Sequence, residues 1–386
     1  MTAATARVLA RALAASSRTA RARVTPPAPD GVRRIVVLQM SGVGDLLLIT
    51  PALRALHRRY PGARIDLVTY RLANAPFVFR LPYAGRGCEF PLFDLRLRDV
   101  WRASFRRALR GPVAFARAEP TDLWVSFHHP WLPQWVLLEL WLAARSGARF
   151  RVGVTPDWLP GPGVFDRALP ESRLGDRHYR PFFLDVVGLL GAPGDQACGE
   201  PPKDVAAEFP LEAHETAAAR ARVAGALPGR RPVVCLHPGA SHVAQRWPAD
   251  RFRDLALRLV ADGCGIVLIG TDAERRVLTP LLAALPPGTW LDGVGGTSLI
   301  DAAALVDASD LFIGNDSGPL HIAVARGRPA IGLVGRGQPR YYGYEPGEAV
   351  ILINPGDPGP DRGKDHAIDW RLGVDEVHAA ARRLLR

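Results

Sequence analysis

Two Rossmann-like, doubly wound α/β domains are what this sequence predicts, on three observations. Short apolar runs alternate with helix-period segments, and the alternation stops once and then restarts. A stretch rich in Gly, Pro, Asp and Glu, 191–210, divides the two series and reads as an interdomain linker. Each series holds one strand-loop-helix turn loaded with small and polar residues. The first is Ser41-Gly42-Val43-Gly44-Asp45, and the second is Asn315-Asp316-Ser317-Gly318-Pro319-Leu320-His321. A length of 386 residues suits two domains better than one.

Residues 1–30 stand outside this pattern. They carry Arg7, Arg11, Arg18, Arg21 and Arg23 among many alanines, with no acid before Asp30. Val8-Leu9-Ala10 is too short an apolar centre for a secretory signal. A disordered basic arm is expected, with a weakly amphipathic membrane-surface helix as the second reading. The first domain is expected over 31–195. Its residues 34–39 form a continuous apolar run, as in a parallel strand buried on both faces. After the Gly-rich loop comes one helix pattern carrying Leu46, Leu47, Ile49, Leu53 and Leu56, ended by Tyr60-Pro61-Gly62. Residues 63–69 are the next strand, closing a compact unit with a right-handed crossover. Residues 122–128 read as a later strand and 131–145 as the helix after it. Trp131, Trp135, Leu138, Trp141 and Leu142 share one side of that helix, a stripe that is core more often than a sugar platform.

The second domain is expected over 196–373, followed by a C-terminal helix, 374–386. Residues 232–237 are a strand ending in a Pro-Gly-Ala-Ser turn. Trp247-Pro248-Ala249-Asp250 opens a helix with Pro near its first turn. Residues 265–270, 311–314 and 328–333 are further strands, and the middle one runs straight into the Asp316 loop.

Composition narrows the function classes. With 48% hydrophobic and 23% charged residues, the chain has the make-up of a globular protein with a real core. No uninterrupted apolar stretch is long enough to span a membrane. The net charge of +11 comes almost wholly from arginine, since only Lys203 and Lys364 are lysines. Such a balance fits an anionic substrate or membrane surface; the basic residues are dispersed and no nucleic-acid motif accompanies them. Cys88, Cys198, Cys235 and Cys264 have no Cys-x-x-Cys spacing, so neither a zinc nor a thioredoxin-like site is suggested, and Cys235 and Cys264, inside strand-like runs, read as buried thiols of a reduced, cytoplasmic protein.

Three segments hold candidate chemistry. Gly42 and Gly44 allow a tight turn and leave room for a ligand. Asp45 then stands at a helix start, either as a cap stabilised by free amides or as a carboxylate set to take a proton from a bound hydroxyl. A dinucleotide fingerprint needs glycine where Leu47 stands, so nicotinamide binding is a weak reading. Ser317 and Gly318 open a helix whose free amides suit a diphosphate, with Asp316 beside them. His321 lies one turn on, although a lone His is more often a packing residue. Gly239-Ala240-Ser241 with Arg246 pairs a small-residue turn with a cation that binds phosphate bidentately, unless Arg246 is simply a surface residue. No Asp-x-Asp pair follows a strand, and Asp357, Asp361 and Asp365 lie in or beside the Pro/Gly-rich stretch 355–364. The expectation is metal-independent chemistry with no cofactor.

These motifs, taken in order, resemble glycosyltransferase family 9, the ADP-heptose:lipopolysaccharide heptosyltransferases and their relatives. The likeness rests on Ser41–Asp45 followed by Thr50-Pro51-Ala52-Leu53. It continues through His237-Pro238-Gly239-Ala240-Ser241 with Arg246-Trp247-Pro248, Gly296-Thr297-Ser298-Leu299, and Asn315 through Ala323. It covers residues 33–345. The resemblance implies a GT-B architecture, two Rossmann-like domains facing across a cleft, with the acceptor on the N-terminal domain. It implies inverting transfer from a nucleotide-sugar, ADP-heptose by analogy, to a glycan or glycolipid hydroxyl. Asp45 would be the general base, on an acceptor-side loop with Ser41, Gly42 and Gly44. Ser241, Asp316, Ser317, Gly318 and His321 would line the donor and its phosphates, and Thr297 and Ser298 the nucleoside. Family members commonly carry Lys where Gln245 stands here, which leaves Arg246 to take over the phosphate contact or the donor geometry to differ. The implied location is cytoplasmic, peripheral to the inner face of the membrane. A GT-B-fold nucleotide-sugar epimerase and a non-catalytic nucleotide-sugar-binding protein are the alternative readings.

Overall fold

The computed structural model describes residues 3–18, 25–40, 42–99, 101–127, 132–159, 161–175, 177–191, 205–335, 344, 347–355 and 366–386. The chain divides into two compact units, Met1–Ala207 and Glu208–Arg386. The first unit therefore runs beyond position 195. Its last residues are tied back to it: Arg180 Nη1 donates to the Val205 carbonyl at 3.1 Å and Arg54 Nη2 to that of Ala206 at 3.0 Å.

Each unit is built on a six-stranded sheet in which all neighbours run parallel. The first sheet comprises β1 (Arg34–Gln39), β2 (Arg64–Thr69), β3 (Ala84–Glu89), β4 (Leu123–Ser126), β5 (Phe150–Thr155) and β6 (Arg167–Pro170), in the order β3-β2-β1-β4-β5-β6. The second comprises β7 (Val233–His237), β8 (Gly265–Gly270), β9 (Trp290–Val294), β10 (Leu311–Asn315), β11 (Ala330–Val334) and β12 (Val350–Ile353), in the order β12-β11-β10-β7-β8-β9. Counted from its own start, each unit winds identically. The winding reverses between the first and fourth strands, so the loops leaving β1/β4 and β7/β10 border a crevice at the carboxyl edge of their sheet. The central strands β1, β4, β7 and β10 are buried throughout, which explains their continuous rather than alternating apolar runs.

The helices of the first unit are α1 (Ala3–Arg18), α2 (Val43–Leu48), α3 (Thr50–Arg59), α4 (Ala103–Arg117), α5 (Pro133–Arg145) and α6 (Tyr179–Gly188). Where one helix is expected after β1, there are two. Pro51 has no N–H to give the Leu47 carbonyl, and Thr50 Oγ1 bonds that carbonyl instead at 2.7 Å. Residues 3–18, expected as part of a disordered arm, are helical. Ala6, Ala10 and Leu13 recur at helical spacing and pack into one apolar cluster with residues of α4 and α5. Trp135 and Trp141 pack against the same cluster, as the core reading of their stripe requires; Trp131 lies outside the described residues.

The second unit adds α7 (Ala213–Ala226), α8 (Ala249–Ala261), α9 (Asp272–Ala284), α10 (Leu299–Asp307), α11 (Gly318–Ala325) and α12 (Val374–Leu384). Two apolar clusters cover its sheet, one with α8, α9 and α12 and one with α7, α10 and α11. Cys235 and Cys264 are buried thiols.

A buried ionic cluster closes the amino edge of the first sheet. Arg34, 3% exposed, opens β1 and donates Nε to Asp66 at 2.7 Å. Its other nitrogens bond Thr121 Oγ1 at 3.1 Å and the carbonyls of Phe115, Ala116 and Glu119 at 3.0, 3.0 and 2.9 Å. Asp66 also accepts from Arg64 Nε at 2.9 Å and the Arg86 amide at 2.8 Å. Burial pushes the Asp66 carboxyl up, yet the donors from Arg64, Arg86 and Arg34 outweigh it and hold it below the ordinary range.

Candidate active site

β7 and β10 are neighbours with Gly314 in register with His237, so both chains leave the second sheet side by side at its switch point. Asn315, fully buried, ties the two departures together. Its Nδ2 donates to the carbonyls of Pro238 and Gly239 at 2.8 and 3.2 Å, and its Oδ1 accepts from the Trp247 amide at 2.9 Å. Beyond it, Ser317 Oγ donates to the Asn315 carbonyl at 3.1 Å and lies 3.2 Å from His237 Nδ1. Gly318 is the first residue of α11, with Pro319 in its first turn, where a missing N–H costs nothing. Free amides therefore point out at this helix start.

Behind His237 stands Glu274. Thr271-Asp272-Ala273-Glu274 follows β8 as a capping box, with Thr271 N and Oγ1 donating to Glu274 Oε2 at 2.8 and 2.9 Å. The same oxygen lies 3.8 Å from His237 Nε2. Burial pushes this carboxyl up, but the facing His237 ring and the Thr271 donors prevail and bring it down to about 2. Glu274, so fixed, lies flat against the β7 loop. A Cβ on Gly239 would meet its Oε1 at 1.8 Å, so that position admits only glycine without displacing the carboxylate.

Asp316 is the opposite case. Its backbone amide bonds the Leu333 carbonyl at 3.1 Å, while its carboxylate has no partner among the described residues. Burial alone pushes it up to about 6. Arg246 spends Nε on the Ala240 carbonyl at 2.9 Å, and its terminal nitrogens take no partner among the described residues. Ser241 is exposed on the same loop.

Other expected donor residues are engaged elsewhere. His321 is buried in α11, and the Tyr344 hydroxyl bonds its Nδ1. Thr297 and Ser298 follow β9, two strands from β7, and serve the fold there. Thr297 Oγ1 bonds the Gly293 carbonyl at 3.0 Å, and Ser298 caps α10 with Asp301, its amide 3.0 Å from the Asp301 carboxylate.

In the first unit, Asp45 sits half-buried in the first turn of α2, after β1. Gln39 Nε2 reaches the Asp45 carbonyl at 3.5 Å, and Leu46 N bonds the Gly42 carbonyl at 3.2 Å. Gln39 Oε1 and Thr69 Oγ1, at paired positions of β1 and β2, are buried without partners among the described residues. Neither Gly42 nor Gly44 uses a left-handed conformation: Gly42 is extended, with φ −78° and ψ −174°, and the turn needs no glycine for its backbone. Space is what Gly42 supplies, with nothing within 4 Å of where a Cβ would stand. Ser41 lies outside the described residues.

Of the residues expected from the sequence, Asp316, Ser317, Gly318 and Arg246 lie together at this crevice, and His237, Glu274 and Asn315 join them there without having been singled out. The Thr-x-x-Glu box was visible as a helix start. Its turn toward the β7 loop depends on β8 lying beside β7, which only the sheet order reveals.

Comparison with known proteins follows the same lines. A family model described as glycosyltransferase family 9 (heptosyltransferase) matches residues 192–368. Lipopolysaccharide heptosyltransferase 2 of Salmonella typhimurium is 26% identical over 318 residues, 80% of this chain and 84% of that protein. Among solved structures, a glycosyltransferase family 9 protein from Veillonella parvula superposes with a TM-score of 0.71 at 21% identity, covering 92% of this chain and 97% of its own. The Escherichia coli ADP-heptose LPS heptosyltransferase II gives 0.66 at 20% identity, covering 91% and 98%. The chain is a glycosyltransferase with the two-domain α/β fold termed GT-B. Within that class its likeness is to the family 9 heptosyltransferases. Among the described residues no helix is long and apolar enough to cross a membrane.

Proposed function

We propose that this chain transfers heptose from ADP-heptose to a hydroxyl of a lipopolysaccharide-type glycolipid, inverting the anomeric carbon without a metal ion. The observation that carries the reading is the switch-point cluster of the second unit, where the Ser317 hydroxyl, the open amides of α11 and the loop held by Asn315 come together. Amides at a helix start and an arginine with spare terminal nitrogens suit a diphosphate. In this reading the Ser317 hydroxyl, the Gly318 amide and Arg246 hold the ADP phosphates, and the partnerless Asp316 carboxylate accepts hydrogen bonds from sugar hydroxyls.

Chemistry follows from charge. As the bond from the anomeric carbon to the diphosphate oxygen breaks, negative charge grows on the leaving ADP, where helix amides and Arg246 meet it. The acceptor oxygen attacks the opposite face of the sugar, which inverts the centre, and its proton passes to the Asp45 carboxylate. The reaction belongs to the cytoplasmic side of the inner membrane, where glycolipid acceptors present their sugars.

Asp45→Ala tests the assignment. Transfer to a lipopolysaccharide-core acceptor should fall by about 10²–10⁴, the usual share of a general base, with ADP affinity unchanged. Wild-type turnover in that variant would remove Asp45 from the role. A rate abolished by EDTA would end the metal-free mechanism.

A further inference from the structure

On the face of the first sheet covered by α1, α4 and α5, the outer surface is basic and apolar at once. α1 turns Ala6, Ala10 and Leu13 inward, which leaves Arg7, Val8 and Arg11 on the face turned away; Val8 is 67% exposed and Leu9, on its flank, 49%. Trp101, directly before α4, is 84% exposed, the most open large apolar side chain among the described residues. Arg106, Arg107 and Arg110 on α4 are exposed and make no ion pair among the described residues. No acid occurs from residue 100 to 118 or anywhere in α1. Arg102, just before α4, pairs with Asp99 at 3.2 Å.

We infer that this face docks on an anionic lipid bilayer. Phosphate-rich headgroups complement unpaired arginines, and the acyl boundary accepts the aliphatic and indole side chains that lie among them. Nucleic acid would satisfy the arginines but has no use for exposed Val8 and Leu9. Trp rings settle at the headgroup level, where one edge is wet and the body apolar. The position of Trp101 gives the docking a purpose. In a parallel sheet the helix following β3 starts at the carboxyl edge, as does the Gly42–Asp45 turn following β1. An indole seated in the headgroups holds that edge, and with it the acceptor-side turn, at the lipid surface. The inference does not depend on which nucleotide the second unit binds.

Flotation of the full-length chain with vesicles tests it. The wild type should float with phosphatidylglycerol–phosphatidylcholine vesicles, stay behind with pure phosphatidylcholine, and detach as salt rises. Arg106→Glu/Arg107→Glu/Arg110→Glu should cut partitioning by more than about tenfold, given the usual worth of each arginine at an anionic surface. Trp101→Ala and Arg7→Glu/Arg11→Glu should each cut it less, and they keep the test valid if the triple variant misfolds. Unfolding midpoints and any ADP-induced thermal shift should match the wild type in every variant. Equal flotation with neutral vesicles, wild-type flotation of the variants, or tighter binding to duplex DNA than to anionic vesicles would each overturn the proposal. An absent ADP response in the wild type would count against the donor reading and leave this one standing.

Discussion

The amino edge of the first sheet and the carboxyl edge of the second both bury charge, and they treat it in opposite ways. At the first, Asp66 is enclosed by Arg34, Arg64 and the Arg86 amide, and Arg34 in turn fills its remaining donors with carbonyls. At the second, Asn315, His237 and Glu274 bond one another's loops, but Asp316 and the ends of Arg246 are left with capacity to spare. A cluster that satisfies itself stabilises the fold; one that leaves a buried carboxylate partnerless costs stability and is set up to receive something. The difference matches the geometry of a parallel sheet, whose ligand sites gather where the strands end.

The contrast breaks most visibly at Asp66. Asp66→Ala strands Arg34 as a buried, unpaired cation and should destabilise the first unit by about 3–5 kcal/mol in a denaturant titration. ADP affinity of the protein that remains folded should not move; a parallel loss of ADP binding would make the amino edge part of the site. Next in size is Arg246→Ala. Losing a charge-assisted bond to phosphate should weaken ADP binding by about 1.5–3 kcal/mol in calorimetry, with little change in the unfolding midpoint. Unaltered ADP affinity would show that Arg246 does not reach the donor.

The smallest effect carries the sharpest sign. Asp316 titrates in the fold near 6, above the ordinary carboxylate range, because burial penalises its charge. The folded state therefore holds a proton that the unfolded state has released, and stability falls as pH rises from about 4 through about 6. Asp316→Asn should abolish that fall. At pH 8 the variant should be more stable than wild type by about 1–2 kcal/mol, discounted for partial exposure, and by pH 4 the two should coincide. Identical unfolding midpoints at pH 8 would mean that the wild-type carboxylate is not strained by its setting.

What could be read in the sequence was whatever is local. The strand runs, the Asp316 loop and the start of α8 after Pro248 are written in adjacent residues. Their positions hold to within a few residues in the structure. The break between α2 and α3 is equally local, since Pro51 announces it, yet the leucine periodicity runs unbroken across it. In residues 3–18 an arginine- and alanine-rich composition masks the i, i+4, i+7 spacing of Ala6, Ala10 and Leu13. Nothing local could have paired His237 with Ser317, eighty positions apart in chain and neighbours only because β10 inserts beside β7. The same holds for Arg34 and Asp66, where a charge inside an apolar run gives no hint of its partner.

Both units wind their strands in one order. Such a chain uses one winding twice and differs between its two units at the loops. Winding is stored in the buried strands, while chemistry is stored in the few residues past each strand end, and the two can change independently. Donor preference is then open to redesign by grafting the segments after β7, β8 and β10 as a set. Grafting one alone would fail, since Asn315, Gly239 and Glu274 are a matched trio across three strand ends.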